Sequence, residues 1–394
     1  EAGGREELGW RAFLYCEPVL PKLALAQLRT QTCENMPGTG AAVIRRDEGG
    51  TYASVEYGHY GGGHGHPDRL HLSFFDQGKL WLLDPGTGWY HVPELSWYRS
   101  TLAHNTVVVD GVSQAPREGV LTAFGDAGHF QVSQAQVDDV YPGVDMRRTL
   151  CLGQDFLLDV VDIWSEQEHV YDWVIHTRAA VEMQAGCTAQ PCPEGLGQRD
   201  GYEYLRNVQR WDGDRLDAVL SWDDARLRVV QLPSSSIYTA RTLGIPLQEE
   251  IPNHTIVARR RGATTRFATC IFRNQENMDR AELREVRPGC YEIALGDRVA
   301  AVYVGDDKGV VIQASSGGEP QGLYWFGRQN FATEFLEVAG DRVLPCASLV
   351  SLGDGTWKLN VPAEFGRVTF RGWQVEWHLQ VQDAAVEIQQ APGS

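Results

Sequence analysis

From about residue 41 onward, apolar and polar residues alternate with a period of two over most of the sequence. This alternation is typical of β-strands that bury one face, whereas apolar positions in a helix recur every three or four residues. Glycine (42 residues) and proline (18 residues) separate the alternating runs, as they do at turns. The pattern predicts an all-β protein, a β-sandwich or barrel of unusual size. The predicted strands are 42–46, 52–57, 70–75, 106–110, 130–137, 156–161, 227–232, 255–259, 266–272, 299–304, 310–312, 343–352, 367–371 and 374–379.

The start of the chain departs from this pattern, and one later segment interrupts it. The first 33 residues have helical periodicity, with apolar positions such as Trp10, Leu14 and Leu25, and the prolines at 18 and 21 predict two short helices rather than one. Residues 315–320, rich in serine and glycine, are the best linker candidate. We therefore expect a helical segment at 1–33, a sandwich at 34–314 and a small C-terminal β domain at 321–394.

The charge balance excludes some classes of partner. The net charge is −17, which argues against nucleic acid and anionic membranes because both bind basic surfaces. The three consecutive arginines at 259–261 could form a polyanion patch, but a solvated strand end is the simpler interpretation. The longest apolar runs, such as 299–304, fall far short of the ~18 residues that a membrane helix needs.

Histidines are concentrated in one segment: of the 11 in the chain, six lie between residues 59 and 104. Two of them, His64 and His66, stand in the run GGGHGHPD at 61–68, where glycines allow unusual backbone angles and close approach to a ligand. In an extended chain these two side chains would face the same side. Two imidazoles and one carboxylate are a common zinc set with a fourth position left open.

A cupin-like metal oxygenase is one alternative interpretation of this motif, because cupins also open their metal motif with His-x-His. A cupin has a glutamate four or five residues after the second histidine, where this chain has Leu70 and His71. The departure makes the cupin the weaker alternative.

The stretch from Glu34 to Gly111 resembles the heparinase II/III-type polysaccharide lyases, including their alginate-lyase relatives. The motifs that carry the resemblance keep the order and approximate spacing of that family. They are ENMPGTGAAVIR at 34–45, GGGHGHPD at 61–68, DPGT at 84–87, RST at 99–101 and AHNTVVVDG at 103–111.

The resemblance implies a large antiparallel β-supersandwich that follows an N-terminal α/α toroid, with a uronate polysaccharide bound in the cleft between them. It implies β-elimination without an organic cofactor. His64 would enter the active site, and His66, Asp84 and His104 would hold a structural zinc ion. The toroid pattern is not found in this sequence, so we expect a toroid in the same precursor or in a separate chain, and an enzyme that is incomplete without it.

The chemistry of β-elimination suggests further substrate contacts. A donor must neutralise the uronate carboxylate, a base must take the C5 proton, and an acid must protonate the leaving oxygen. His64 could be the base or the neutralising group, and Arg99 could bind a carboxylate. His176 is a weaker substrate candidate, for which a plain strand histidine is the simpler interpretation. The aromatic candidates for sugar stacking, each of which could instead belong to the core, are Trp81, Trp89, Tyr90, Trp97 and Tyr98.

The negative net charge favours alginate or an unsulfated glycosaminoglycan over a heavily sulfated polymer, although heparin and heparan sulfate stay open. A carbohydrate-binding module without catalytic activity is the second alternative. We expect a periplasmic or secreted location rather than a cytoplasmic one.

Overall fold

A computed structural model gives the structure of the protein over residues 33–389. Within that range it leaves out 48–49, 185–186, 214, 234, 247, 249–250, 274, 306–308, 318, 329–330, 333–335, 340–342, 352–355, 361–366, 373–374 and 381–384. The helices predicted over residues 1–33 therefore lie outside the described residues, apart from Cys33.

Strands are the dominant secondary structure in the described part of the chain, which confirms the predicted all-β class. The strands up to residue 272 are β1 (Glu34–Met36), β2 (Ala41–Arg46), β3 (Thr51–Glu56), β4 (Leu72–Asp76), β5 (Lys79–Leu82), β6 (Val107–Val109), β7 (Val120–Asp126), β8 (Gln131–Tyr141), β9 (Val144–Leu152), β10 (Phe156–Ser165), β11 (His169–Thr177), β12 (Ala180–Met183), β13 (Ala189–Pro191), β14 (Arg206–Trp211), β15 (Asp217–Trp222), β16 (Ala225–Leu232), β17 (Ser236–Thr242), β18 (Asn253–Gly262) and β19 (Thr265–Phe272).

These strands form three antiparallel sheets. The first is the meander β1-β2-β3-β4-β5, the second has the order β12-β15-β16-β19-β10-β9-β8-β7, and the third has the order β13-β14-β17-β18-β11-β6. One apolar core joins all three sheets, with Phe74 from the first, Leu157 and Ile271 from the second, and Trp173 and Ile256 from the third. A multilayered sandwich of this kind agrees with the predicted architecture.

Two further antiparallel sheets follow in the chain. Their strands are β20 (Glu282–Arg287), β21 (Cys290–Leu295), β22 (Arg298–Val304), β23 (Gly309–Ser316), β24 (Glu319–Arg328), β25 (Phe331–Ala332), β26 (Leu336–Ala339), β27 (Val343–Ser351), β28 (Thr356–Asn360), β29 (Arg367–Gly372), β30 (Val375–Gln380) and β31 (Ala385–Gln389). The orders are β20-β21-β22-β23-β24-β27-β28-β31 and β25-β26-β29-β30.

The predicted linker at 315–320 differs from the structure, because Ser315 and Ser316 belong to β23 and pair with Pro320 and Glu319 of β24 in a hairpin. The sheet to which the hairpin belongs begins at Glu282, before the predicted boundary. A serine- and glycine-rich sequence suits a tight hairpin as well as a linker, so composition alone could not separate the two.

The second sheet is covered on both faces. Its inner face contributes to the three-sheet core. Its outer face packs against the sheet that starts at Glu282, and Leu158 and Cys270 share one buried apolar cluster with Ile293 and Tyr324. Double coverage explains why β10 reads as a nearly continuous apolar run rather than as an alternating one.

Helical structure is scarce in the residues described. It consists of α1 (Leu95–Tyr98) and short 3₁₀ turns at Gly62–His64, Thr101–Ala103, Tyr202–Tyr204 and Gln275–Arg280. None of these segments has the length and hydrophobicity to span a membrane.

Candidate active site and metal centre

The glycine-rich run folds into a 3₁₀ turn at Gly62–His64 rather than an extended strand. Gly61 and Gly62 have φ angles of 80° and 63°, in the left-handed region that glycine adopts without strain. A Cβ atom at Gly65 would lie 1.5 Å from the carbonyl oxygen of Tyr60. Because the turn rotates the chain between them, His64 and His66 do not share a side as an extended chain would require.

His64 lies on the surface beside Tyr90. Its Nδ1 is 2.8 Å from the Tyr90 hydroxyl oxygen, and the two rings stand nearly perpendicular, at 78°. Arg99 donates a hydrogen bond of 2.8 Å from Nη2 to the carbonyl oxygen of Gly63, and its guanidinium carbon lies 5.5 Å from the centre of the Tyr90 ring. We call His64, Tyr90 and Arg99 the exposed cluster.

The predicted zinc ligands lie around His104, which is near both His66 and Asp84. His104 is buried, and its Nδ1 donates to the carbonyl oxygen of Ser100 at 2.9 Å, which leaves the lone pair on Nε2. That Nε2 atom is 3.4 Å from Nδ1 of His66 and 3.6 Å from Oδ2 of Asp84. Around a tetrahedral zinc ion with bonds near 2.0–2.1 Å, neighbouring ligand atoms are about 3.3–3.4 Å apart. The distances from His104 to His66 and to Asp84 are near this value. We call His66, Asp84 and His104 the metal cluster.

Asp68 is a donor that the sequence reasoning missed. One donor atom from each of His66, Asp68 and His104 lies within 4.8 Å of the other two. Asp68 also pairs with Arg69, whose guanidinium group is buried. Its position two residues after His66, in the same motif, was the available signal.

His71 supports the metal cluster without being placed to ligate. Its Nδ1 accepts a hydrogen bond of 3.0 Å from the backbone N–H of Asn105, so the neutral ring carries its proton on Nε2. That nitrogen is 3.0 Å from Oγ of Ser73 and 3.8 Å from Oδ2 of Asp84. The ring therefore presents a donor, not a lone pair, toward the carboxylate.

Electrostatics at the metal cluster favour a cation. Burial, followed by the nearby charge of His104, lowers the pKa of His66, and burial lowers the pKa of His71 to about 4. Burial alone would raise the pKa of Asp84, but the imidazoles of His104 and His71 and the Gly86 amide bring it down to about 2. Neutral imidazoles beside an ionised carboxylate are the donor set of a divalent transition metal.

Glu56 adds a carboxyl group beside this set. Burial, together with the negative charges of Asp68 and Asp84, raises the pKa of Glu56 to about 7. Three carboxyl groups in one neighbourhood repel one another, and a bound cation relieves that repulsion.

His176 lies in the core, apart from the exposed cluster. Its side chain is 1% exposed, and its ring nitrogens are hydrogen-bonded to the carbonyl oxygen of Leu102 at 2.7 Å and to Oγ1 of Thr255 at 2.9 Å. Such an imidazole has neither a free nitrogen nor an open face for a sugar. The geometry favours the plain strand histidine over the substrate contact.

The aromatic and arginine candidates also divide by exposure. Trp89 and Tyr90 are 61% and 52% exposed, so their faces are available to a sugar ring. The core instead holds Trp81, Trp97 and Tyr98. Arg259, from the run of three arginines, pairs with buried Asp172 at 2.7 Å and so is not free for a polyanion.

Comparison with known sequences settles the family. The family described as "Heparinase II/III-like, C-terminal" matches residues 29–275, well over half of the chain. The chain belongs to this heparinase II/III-like family. Membership disfavours the cupin-like oxygenase and is consistent with the motifs at 34–111.

Curated relatives match over a shorter stretch. An alginate lyase of Stenotrophomonas maltophilia is 30% identical over 37% of this chain and 23% of its own length. An exo-oligoalginate lyase of Saccharophagus degradans is 24% identical over the same shares. The match thus spans less than a quarter of each relative.

Solved structures share the fold. A heparan sulfate lyase from Pedobacter heparinus superposes with a TM-score of 0.52 at 12% identity, over 80% of this chain and 45% of that one. A heparinase III structure gives 0.51 at 14% identity, over 82% and 45%. At these identities the likeness supports the fold and nothing finer.

Proposed function

We propose that this chain forms the β-sandwich wall of the active site of a polysaccharide lyase that cleaves alginate by β-elimination. The observation that carries the proposal is the contact of 2.8 Å between His64 and Tyr90 on the exposed side of the glycine turn. Two titratable groups in contact, open to solvent and beside a half-buried arginine, can bind a carboxylate and handle protons.

Alginate is the proposed polymer for two reasons. The relatives that match in sequence are named for alginate and oligoalginate. A net charge of −17 suits a polymer without sulfate groups better than a sulfated one.

The tautomer of His64 suggests its role. If the Tyr90 hydroxyl donates to Nδ1, the neutral ring carries its proton on Nε2, which has no hydrogen-bond partner among the residues that the structure describes. The Nε2–H group can then donate to the uronate carboxylate and lower the pKa of the C5 proton. Arg99, held against Gly63, extends the positive surface for the same carboxylate.

The elimination needs more than these residues. A base takes the C5 proton, the electron pair left behind forms the C4–C5 double bond, and the C4–O bond breaks as an acid protonates the leaving oxygen. We propose that an α/α toroid, in the same precursor or in a separate chain, supplies the second wall and the remaining groups. Positioning between two walls contributes much of the rate in such reactions.

A structural zinc ion is the proposed cofactor. His66, Asp84 and His104 would hold it, with Asp68 as the candidate fourth donor, and the ion would fix the loops that flank the exposed cluster. When bound, it supplies positive charge and cross-links separate segments. No step of the elimination requires it.

The test is incubation of the purified protein with alginate, heparosan, heparan sulfate and hyaluronan while ultraviolet absorbance of the unsaturated product is followed. We expect product from alginate only when a toroid is present, and binding of alginate oligosaccharides by residues 1–394 alone. Product from residues 1–394 alone, abolished by His64→Ala, would show that the sandwich holds a complete catalytic set.

A carbohydrate-binding module is the second candidate, favoured by the exposed ring of Trp89. It predicts oligosaccharide binding that Trp89→Ala abolishes, with no product from any polymer even when a toroid is supplied.

A further inference from the structure

Two consecutive arginines of β9, Arg147 and Arg148, are buried and face opposite sides of the second sheet, because successive strand residues alternate. Arg147 pairs with Asp162 at 2.9 Å and lies over the ring of Trp164. Arg148 pairs with Asp159 on the inner side. Both are buried arginine–aspartate pairs, but Asp162 also pairs with Arg266, and the surroundings of the two pairs differ.

The Arg148–Asp159 pair is bidentate, with Nε to Oδ1 at 2.7 Å and Nη2 to Oδ2 at 2.6 Å. Neither side chain has any exposed surface. Removing two charges from water is costly unless further hydrogen bonds satisfy the remaining donors. Here the remaining nitrogen, Nη1, donates to the main-chain carbonyl oxygens of Leu70 and Asn105.

Those two carbonyl groups belong to two of the three segments that carry metal donors. Leu70 follows Asp68 by two residues, and Asn105 follows His104 directly. Leu70 also has a φ of 61°, a strained backbone for a residue other than glycine. A hydrogen bond of 2.6 Å from buried Arg148 to its carbonyl oxygen helps to hold that conformation.

Asn105 extends the connection to the third donor segment. Its Nδ2 donates to the carbonyl oxygens of Leu72 at 2.8 Å and Leu83 at 3.0 Å. Leu83 immediately precedes Asp84. A continuous set of hydrogen bonds therefore runs from the Arg148 guanidinium through Asn105 to every segment of the metal cluster.

We propose that the Arg148–Asp159 ion pair is a positioning pair for the metal cluster, setting the distances at which the donors converge. The Arg147–Asp162 pair, on the opposite face, has no such role. The proposal rests on the zinc site proposed above.

The experiment compares Arg148→Lys with Arg147→Lys. A lysine keeps the charge but cannot hold Asp159 through two parallel bonds and also reach two carbonyl groups. Zinc affinity is measured by competition with a chromophoric chelator, and near-ultraviolet circular dichroism checks that each variant is folded. We expect Arg148→Lys to weaken zinc binding by about 10- to 100-fold, as loss of a supporting partner does. Arg147→Lys should leave the affinity unchanged, although both variants lose thermal stability.

Asp159→Asn and Asp162→Asn form a second matched pair in case Arg148→Lys does not fold. Only Asp159→Asn should weaken zinc binding. Equal zinc affinities within both matched pairs would overturn the positioning role while leaving the zinc site intact. Wild-type protein that binds no zinc would instead overturn the zinc site itself, so the two failures are distinguishable.

Discussion

The exposed cluster and the metal cluster each take one histidine from the same short motif, and these two histidines occupy opposite environments. His64 is exposed and contacts Tyr90, whereas His66, two residues later, is half-buried and contacts His104. The left-handed glycines at 61 and 62 and the turn they allow separate the two side chains. The comparison indicates that a single glycine-rich segment can direct one imidazole toward solvent and the next toward a buried donor set.

The largest expected effect concerns the exposed cluster. His64→Ala should lower turnover of the complete enzyme by about 10²-fold or more, the usual contribution of a positioned acid–base group. Zinc content, measured by elemental analysis, should not change. His59→Ala is the matched control, because His59 is an exposed histidine of the same segment that pairs with Glu118. Loss of zinc with near-normal turnover in His64→Ala would mean that the roles of His64 and His66 are exchanged.

The second prediction concerns the metal cluster and is tested by removing the metal. If free zinc is 100 times its dissociation constant, binding adds about 2.7 kcal/mol to the free energy of unfolding, and chelation should remove it. Denaturant titration with and without chelator measures the difference. In His104→Ala the chelator should have no effect, because a ligand is already lost. A chelator effect that persists in that variant would contradict the assignment.

His176 gives an intermediate effect and separates a core role from substrate binding. Burial lowers the pKa of His176 to about 3, whereas an unfolded histidine titrates near 6.5, so the unfolded state binds the proton that the folded state refuses. Unfolding free energy should therefore fall as pH drops below about 6.5. His176→Gln has no imidazole to titrate, so its unfolding free energy lacks this pH dependence. The amount by which the variant is less stable than wild type should therefore shrink by roughly 2 kcal/mol between pH 6.5 and 5. A raised KM for alginate with no change in pH dependence would restore the substrate role.

The smallest effect concerns the Tyr90 hydroxyl. Tyr90→Phe keeps the ring and removes the hydrogen bond to His64, so turnover should fall by about tenfold with little change in thermal stability. Tyr204→Phe is the control, since it loses a hydroxyl bonded to Ser96 and Pro93 instead. Equal activity losses in both variants would argue that Tyr90 has no specific role beside His64.

Much of the fold follows from the sequence alone. Predicted strands such as 42–46 and 266–272 match β2 and β19 to within about a residue at each end, because alternation reports burial directly. Strands such as β7 and β14 were missed, since their exposed and half-buried residues give a weak pattern.

The site could be predicted only in part. Residue types and motif order indicated His66, Asp84 and His104, and in the structure the first two each lie near His104. Sequence could not show that His176 would be enclosed by Leu102 and Thr255. Enclosure depends on strands far apart in the chain. Asp68 stands close to His66 in the motif, but its proximity to His104 depends on the fold and not on spacing along the sequence.

The double coverage of the second sheet has a consequence for protein engineering. The family match ends at residue 275, and a domain boundary of this kind is commonly chosen for truncation. The outer face of the second sheet, with Val160, Cys270 and Phe272, is covered by strands that begin only at Glu282. A protein cut at 275 would expose a broad apolar surface to water, and such surfaces promote self-association and precipitation. A shortened protein should therefore keep the strands that begin at Glu282 if it is to stay soluble. This holds even though the metal cluster and the exposed cluster lie far from those strands in sequence.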